Sequence, residues 1–302
     1  MRIAILSRNR SLYSTKRLNH AARRRGHEVY VIDTLHVARQ MGLLPKASGS
    51  RMPRRLPKVD AIIPRIGASI TPQGVAVVRT FEVHGILTTA SSEAIAQSRN
   101  KLESWQLMAH NGLPHPRTVL VSDPDELHSA IHEVSGPPAV LKILRGTQGR
   151  GVILAESVNI ARTVLSILFR HGQDKVLVQE FIEEAEGKDR RLLIVDGRCV
   201  AAMERTAPED DFRANLHRGA TSRAITPDEQ TEALAVRAAA VHGLGVAGVD
   251  IISSQRGPLL LEANSSPGLE GIESVTQVDV AREIVRYLER KGQAAGKLRN
   301  RR

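Results

Sequence analysis

Apolar and polar positions switch between two periods along the chain, and the switches lay out an α/β protein. Residues 2–6 form a short apolar run of the buried-strand kind, 16–25 carry helical spacing and stop at Gly26, and 28–33 return to a strand pattern. Strand, helix and strand in that order make a parallel α/β unit. Pro, Gly and basic residues then crowd 44–58, which reads as an exposed loop. Beyond it the pattern predicts a strand at 59–63, a helix near 73–84 and a strand at 86–90, so that a first domain ends near Gln97. No G-x-G-x-x-G follows the first strand, and a dinucleotide site is not supported. The loops at Ser7-Arg8 and at 64–67, with Arg65, follow strand C-termini, where ligands of open α/β sheets sit.

Helical spacing resumes at 101–110 and again near 124–134, with a strand at 118–121 between them. The run AVLKIL at 139–144 is a strand with one lysine, Lys142, set among apolar residues. It leads through RGTQGRG at 145–151 into a second strand at 152–155, so Gly146, Gly149 and Gly151 lie in a hairpin loop. Such a loop can fold backbone N–H groups over phosphate oxygens, although it lacks the Gly-Lys-Ser/Thr end of a Walker A loop. A plain flexible turn is the competing reading. Lys142 weighs against it, because a buried ammonium is costly without an anion. A helix at 159–169 precedes VLVQEFI at 176–182, and strands at 189–195 and 198–204 join at Asp196-Gly197, a two-residue hairpin signal. The loop DFRANLHRG at 211–219 is too polar for a core, and beside phosphate its arginines would be electrophiles. Thr226 as cap and Pro227 at the first turn are expected to start a helix running to Val241, and a last amphipathic helix spans 278–289.

The most specific chemistry lies between these helices. Strands at 246–253 and 258–264 are joined near Gln255, Arg256 and Gly257. A hairpin centred on Arg256 sets Asp250 opposite Glu262, and Asn264, two residues on, shares the face of Glu262. An all-oxygen cluster of this kind suits Mg²⁺ or Mn²⁺ and lacks the His or Cys that zinc prefers. Three ordinary hairpin residues are the alternative. Two carboxylates facing each other between apolar runs would repel without a cation, which favours the metal.

Composition narrows the partners. A formal charge of +11 and a pI near 10.4 point to something acidic, while an aromatic share of 3% is poor material for stacking bases. No apolar run approaches the roughly 20 residues that cross a bilayer. The one cysteine, Cys199, allows no disulfide framework, so a reducing cytoplasm is the expected compartment.

Taken in order, the lysine before a Gly-rich hairpin, the hinge strand with its acidic exit Glu183-Glu184, the Arg/Asn loop and the Asp…Glu-x-Asn hairpin resemble the ATP-grasp ligase superfamily. RGTQGRG, DFRANLHRG and EANSSPGLEGIE are similar to its RimK-type branch, ligases that add glutamate to a ribosomal protein's C-terminus. The resemblance implies a mixed α/β and α+β fold: an N-terminal parallel α/β (pre-ATP-grasp) domain at 1–97, then a central lobe at 98–181 and a C-terminal lobe at 182–290 enclosing ATP, and a basic tail at 291–302. By position it implies Lys101 and Lys142 on the phosphates, Gly146, Gly149 and Gly151 closing over them, Glu180 and Phe181 at the adenine, and Asp189 at the ribose. Arg213, Ala214 and Asn215 would line the nucleotide, with Arg213 and Asn215 as catalytic groups at the γ-phosphate and acyl intermediate. Asp250, Glu262 and Asn264 would hold two Mg²⁺ or Mn²⁺ ions, His217 is a candidate base, and 265–273 would shape the pocket for the incoming substrate. The implied partners are L-glutamate and the acidic tail of a ribosomal protein, without membrane or sequence-specific nucleic acid, homo-oligomerisation being left open. Another acceptor, such as an amino-group carrier protein or a cofactor's glutamyl chain, is the nearest alternative, and a non-catalytic nucleotide or RNA-binding protein the remote one. Two positions depart from the branch: Gly219-Ala220 stands where Gly-Gly is common, and Asn100 where an acid usually precedes the first lysine.

Overall fold

A computed structural model describes residues 1–43, 56–144, 151–172, 175–209, 211, 213–214 and 219–296. Gly146, Gly149, Asn215, His217, most of the 44–58 loop and the end of the basic tail lie outside the described residues.

The first sheet holds β1 (Arg2–Leu6), β2 (Glu28–Ile32), β3 (Ala61–Pro64) and β4 (Leu87–Thr88) in the order β2-β1-β3-β4, all parallel. Residues 3–6 of β1 are completely buried, the reason for its unbroken apolar run. Around the sheet run α1 (Tyr13–Arg24), α2 (Thr34–Gln40), α3 (Thr71–Val83) and α4 (Ser92–Arg99). The hydrophobic pattern did not announce α2 or α4, which are short and start at side-chain caps instead: Asp33 accepts from the Leu35 N–H and Ser91 from that of Ala94.

The second sheet is antiparallel. After α5 (Lys101–His110) come β5 (Thr118–Val121), α6 (Leu127–Glu133), β6 (Ala139–Ile143), β7 (Val152–Ala155), α7 (Val158–Arg170) and β8 (Val176–Glu180), with strands ordered β5-β8-β6-β7. Strand β8 stops at Glu180, two residues before its apolar run ends, and Phe181 and Ile182 lead into a single 3₁₀ turn. Asn100 caps α5 by accepting from the Leu102 and Glu103 N–H groups, so the replacement of the usual acid there keeps a helix start.

The third sheet contains β9 (Lys188–Val195), β10 (Arg198–Thr206), β11 (Thr221–Ala224), β12 (Val246–Ser254) and β13 (Gly257–Asn264), ordered β11-β10-β9-β12-β13, with α8 (Glu229–Val241), α9 (Glu270–Thr276) and α10 (Val280–Ala294). The start of α8 corrects the expectation at Thr226 and Pro227. Asp228 is the cap, its carboxylate accepting from the N–H and the hydroxyl of Thr231 at 2.8 Å each, because an anion suits the positive helix end better than a threonine does.

The three sheets are not three cores. Leu6 and Ile62 of the first sheet share one apolar cluster with Leu192 and Val249 of the third, and Ile3 and Ile63 share another with Leu193 and Ile284. The second sheet closes its own cluster around Val121, Leu141, Leu165 and Val178. A body built from the first and third sheets thus carries the central lobe.

Candidate nucleotide and metal site

Four strands of the third sheet line up a polar face. Arg205 of β10 pairs with Asp189 of β9; Arg191, two residues on, stands beside Asp250 of β12, and Asp250 beside Glu262 of β13. The facing of Asp250 and Glu262 agrees with expectation, but the hairpin reaches it by another route. The turn has two residues, Gln255 and Arg256, between Ser254 and Gly257. On that register alone Asp250 would face Leu261; a bulge between the Asp250 and Ile251 pairings absorbs Leu261 and restores Glu262 as partner.

The charges on this face neutralise one another. Arg191 donates to both oxygens of Asp250 at 2.7 and 2.5 Å, Arg205 approaches Asp250 at 3.1 Å and donates twice to Asp189 at 2.6 Å, and Arg191 lies 3.9 Å from Glu262. Burial pushes the Asp250 carboxyl up, but Arg191 and Arg205 outweigh it and hold it well below the usual carboxylate range. The repulsion that made a cation necessary on sequence grounds is therefore already offset by two arginines. Both oxygens of Asp189 face Arg205, a structural ion pair at the position expected to meet ribose.

The donors still fit a hard cation. Asp250 and Glu262 are carboxylates, and the Asn264 amide, which carries a further oxygen, donates to Glu262 at 2.8 Å. Glu262 is exposed at the open edge while Asp250 is buried behind it. Among the described residues no group of three His, Cys, Asp or Glu gathers.

Opposite this face stands the base of the Gly-rich hairpin. The Lys101 ammonium donates to the Ile143 carbonyl at 3.0 Å, at the end of β6. Burial lowers the Lys142 amine to about 8, with Glu262 opposing the fall and Lys101 adding to it, so both lysines and Glu262 feel one another's charge. Gly151 closes the hairpin at φ +77°, where an added Cβ would lie 2.2 Å from the Ile143 side chain, so only glycine fits. Arg213 is clamped by Asp211 at 2.8 and 3.0 Å and donates to the Val152 carbonyl at 3.1 Å, with Ala214 buried beside it. Lys101, Lys142, Gly151 and Arg213 thus gather at one end of the central lobe. Glu180 and Phe181 mark the join to the body, where the Glu180 carboxylate accepts from Arg256 at 2.6 Å.

Sequence reasoning missed Arg191, Arg205, Arg99 and Arg256. Arg191 closes the charged run that opens β9 and Arg205 lies in the polar end of β10, so neither stood out in its own strand, although Arg205 is 2% exposed. Glu273 departs from the substrate pocket expected at 265–273. Its carboxylate is buried and committed to Tyr13, Arg17 and the Ala281 N–H at 2.9, 2.8 and 3.0 Å, tying α9 to α1 and α10.

Known proteins resemble this chain in sequence and fold. Residues 98–288 match the model of the RimK-like ATP-grasp domain and residues 1–95 that of the RimK pre-ATP-grasp domain. A probable alpha-L-glutamate ligase of Teredinibacter turnerae is 48% identical over 291 residues, 96% of each chain, and one of Shewanella loihica 49% identical over 292 residues with the same coverage. Among solved structures, a RimK domain protein from Sphaerobacter thermophilus superposes with a TM-score of 0.72 at 23% identity, covering 95% of this chain and 99% of that one. The D-alanine–D-alanine ligase of Bacillus anthracis, complexed with ATP, gives 0.71 at 15% identity, covering 98% and 99%. With the two family models together matched over residues 1–95 and 98–288, and a relative 48% identical across 96% of the chain, the chain belongs to the RimK-like ATP-grasp family of ligases.

Proposed function

We propose that the chain joins L-glutamate to a carboxylate of a peptide acceptor, the acidic C-terminal tail of a ribosomal protein, at the expense of ATP. The observation that carries this reading is the meeting of Lys101, Lys142 and Arg213 at the glycine hairpin with Asp250, Glu262 and Asn264 across the cleft. Relatives covering the whole fold are named probable alpha-L-glutamate ligases, which supports the choice of amino acid.

The acceptor carboxylate attacks the γ-phosphate, ADP leaves, and an acylphosphate forms. Lys142 and Arg213 are placed to balance charge that moves onto the transferring oxygens. The α-amino group of glutamate then attacks the acyl carbon, phosphate departs, and an amide remains. A divalent cation held by Asp250, Glu262 and Asn264 would supply Lewis-acid neutralisation of phosphate charge. No Ser/His/Asp nucleophile set is required, because the acceptor is itself the nucleophile in the first step.

Charge supports an anionic acceptor. An open groove of about 780 Å³ runs along α1, lined by Lys16, Arg17, His20, Arg23 and Arg24. Anionic chains are drawn to such a surface. With Cys199 as the sole cysteine and no disulfide framework available, we assign the protein to the cytoplasm. No helix among the described residues is long and apolar enough to cross a membrane.

The test is incubation with Mg²⁺, ATP, L-glutamate and candidate acceptors, following ADP and acceptor mass. ADP formation with a glutamyl-sized mass step on a ribosomal protein is expected. A mass step only on a carrier protein or cofactor would overturn the acceptor, and no glutamate-dependent turnover with any acceptor would overturn the reaction.

A further inference from the structure

Beside the Asp-Glu-Asn edge the body holds two arginines that the scheme above does not use. Arg65 follows β3 and Arg99 ends α4, so both sit where the first sheet's strand ends meet the loop after β13. Arg65 donates to the Pro267 carbonyl at 2.7 Å, and Arg99 to the Ile66 carbonyl at 2.9 Å. Neither has a carboxylate partner among the described residues. A guanidinium offers five N–H donors, so one carbonyl each leaves most of them for something else. The Nε of Arg99 is buried with no acceptor, and so are the hydroxyls of Ser265 and Ser266, with Ser265 only 4% exposed. Buried donors without partners are rare enough to need a reason.

The surroundings add to the oddity. Burial lowers Arg65 to about 10, with Arg99 contributing, and burial lowers Arg99 as well, so two cations share a partly dry site and repel one another. Glu262 is the acid that Arg99 feels, which puts the pair next to the reaction centre without giving it a salt bridge. The loop is pressed into place deliberately: a Cβ on Gly248 would lie 2.7 Å from the Pro267 side chain, so glycine at β12 lets 265–268 fold back over the sheet. Two guanidiniums beside the loop that carries two unmet hydroxyls, short of acceptors and close enough to feel Glu262, have the charge and the donors that a carboxylate complements.

We propose that Arg65 and Arg99, with Ser265 and Ser266, hold the side-chain carboxylate of the incoming amino acid and so select a dicarboxylic substrate. This rests on the ligase reading for its substrate, with glutamate as that amino acid. The acceptor's terminal carboxylate belongs at the phosphate, between Lys142 and Arg213, which leaves this second cationic pocket for the other substrate. A neutral amide in place of the carboxylate would meet the same donors without compensating their charge, which is the kind of loss that gives strong discrimination.

Binding tests it apart from turnover. The full chain, loaded with Mg²⁺ and a non-hydrolysable ATP analogue, is titrated calorimetrically with L-glutamate and with L-glutamine. The wild type is expected to bind glutamate at least about tenfold more tightly, since bonds to a charged group exceed those to a neutral one by that order. Arg99→Gln is expected to weaken glutamate by about 10–100-fold, to change glutamine by less than about threefold, and to leave the ATP analogue unchanged, with Arg99→Lys between the two. Ser266→Ala, expected to weaken glutamate by about 3–10-fold, serves if Arg99→Gln fails to fold. Equal loss of glutamate and glutamine would assign the pocket to the α-carboxylate and overturn the proposal, as would unchanged glutamate affinity, absence of any preference in the wild type, or an effect confined to the acceptor's KM. Selective glutamate binding without amide formation would instead fail the ligase reading and leave the pocket standing.

Discussion

The central lobe and the body that carries it are built on opposite plans. In the body, strands from both ends of the chain bury their apolar faces against each other, so that Leu6 and Leu192, or Ile5 and Leu193, belong to common clusters. The lobe closes its own cluster and meets the body through polar contacts: Lys101 to Ile143, Arg213 to Val152, and Arg256 to Glu180. Apolar area fixes relative position strongly, whereas two hydrogen bonds to carbonyls and one exposed ion pair do so weakly. Of the groups proposed for phosphate, Lys142 and Gly151 are thus on the loosely joined piece, while Lys101 and Arg213 reach it from the body, which also carries the carboxylates proposed for metal.

Substitutions can break that contrast from either side. The largest effect is expected from Glu262→Gln, which removes a cation donor from an exposed position: turnover should fall by at least about 100-fold while the melting temperature stays within about 2 °C of wild type. Steady-state ligase assays and calorimetry read both. Next in size, Leu193→Ala and Leu165→Ala should each cost about 2–5 kcal/mol, as fully buried leucines do. They should differ in reach. Hydrogen exchange is expected to rise through the first and third sheets in Leu193→Ala, but to stay within 118–180 in Leu165→Ala; equal spread in both would erase the distinction between lobe and body.

A pH effect sharpens the body's side. His242 is buried at the end of α8, where its ring meets the Ser104 hydroxyl of α5 and the Ala238 carbonyl at 2.8 Å each. Burial lowers its pKa, so the unfolded chain takes up a proton near pH 6.5 while the folded chain does not until lower pH. The contribution is complete above pH 6.5 and is lost as pH falls from there toward the folded-state pKa, at up to about 1.4 kcal/mol per unit. Denaturant melts of the wild type and His242→Gln at pH 7.5 and 5.5 check it; equal pH slopes would contradict it. The smallest effect is expected for Arg256→Ala. Its bridge to Glu180 is 43% exposed on the arginine side, so a loss under about 1 kcal/mol is predicted, and a larger one would mean that polar contacts do fix the lobe.

Much of this was written in local pattern. The parallel unit at the N-terminus, Lys142 inside an apolar strand and the Asp250–Glu262 facing all follow from side-chain period and turn signals. The facing was right although the turn was not: sequence period cannot show a bulge at Leu261, because the bulge exists only against its partner strand. Arg191 and Arg205 stayed hidden for a related reason. In one strand each reads as a solvated position, and only the pairing of β9 with β10 and β12 turns them into the counter-charges of Asp189 and Asp250. Helix α9 depends on Tyr13 and Arg17 reaching Glu273 across more than 250 positions of chain, which no window on 265–273 contains. Shared cores are likewise invisible to patterns that register burial but not the partner.

One titration bears on the central claim, that Lys142 of the lobe serves phosphate and Glu262 of the body serves metal. A non-hydrolysable ATP analogue is titrated into wild type, Lys142→Ala and Glu262→Gln, each with and without Mg²⁺. Lys142→Ala should weaken binding by about 10–100-fold in both conditions, and Glu262→Gln only when Mg²⁺ is present. Wild-type affinity in both variants under both conditions would contradict the account.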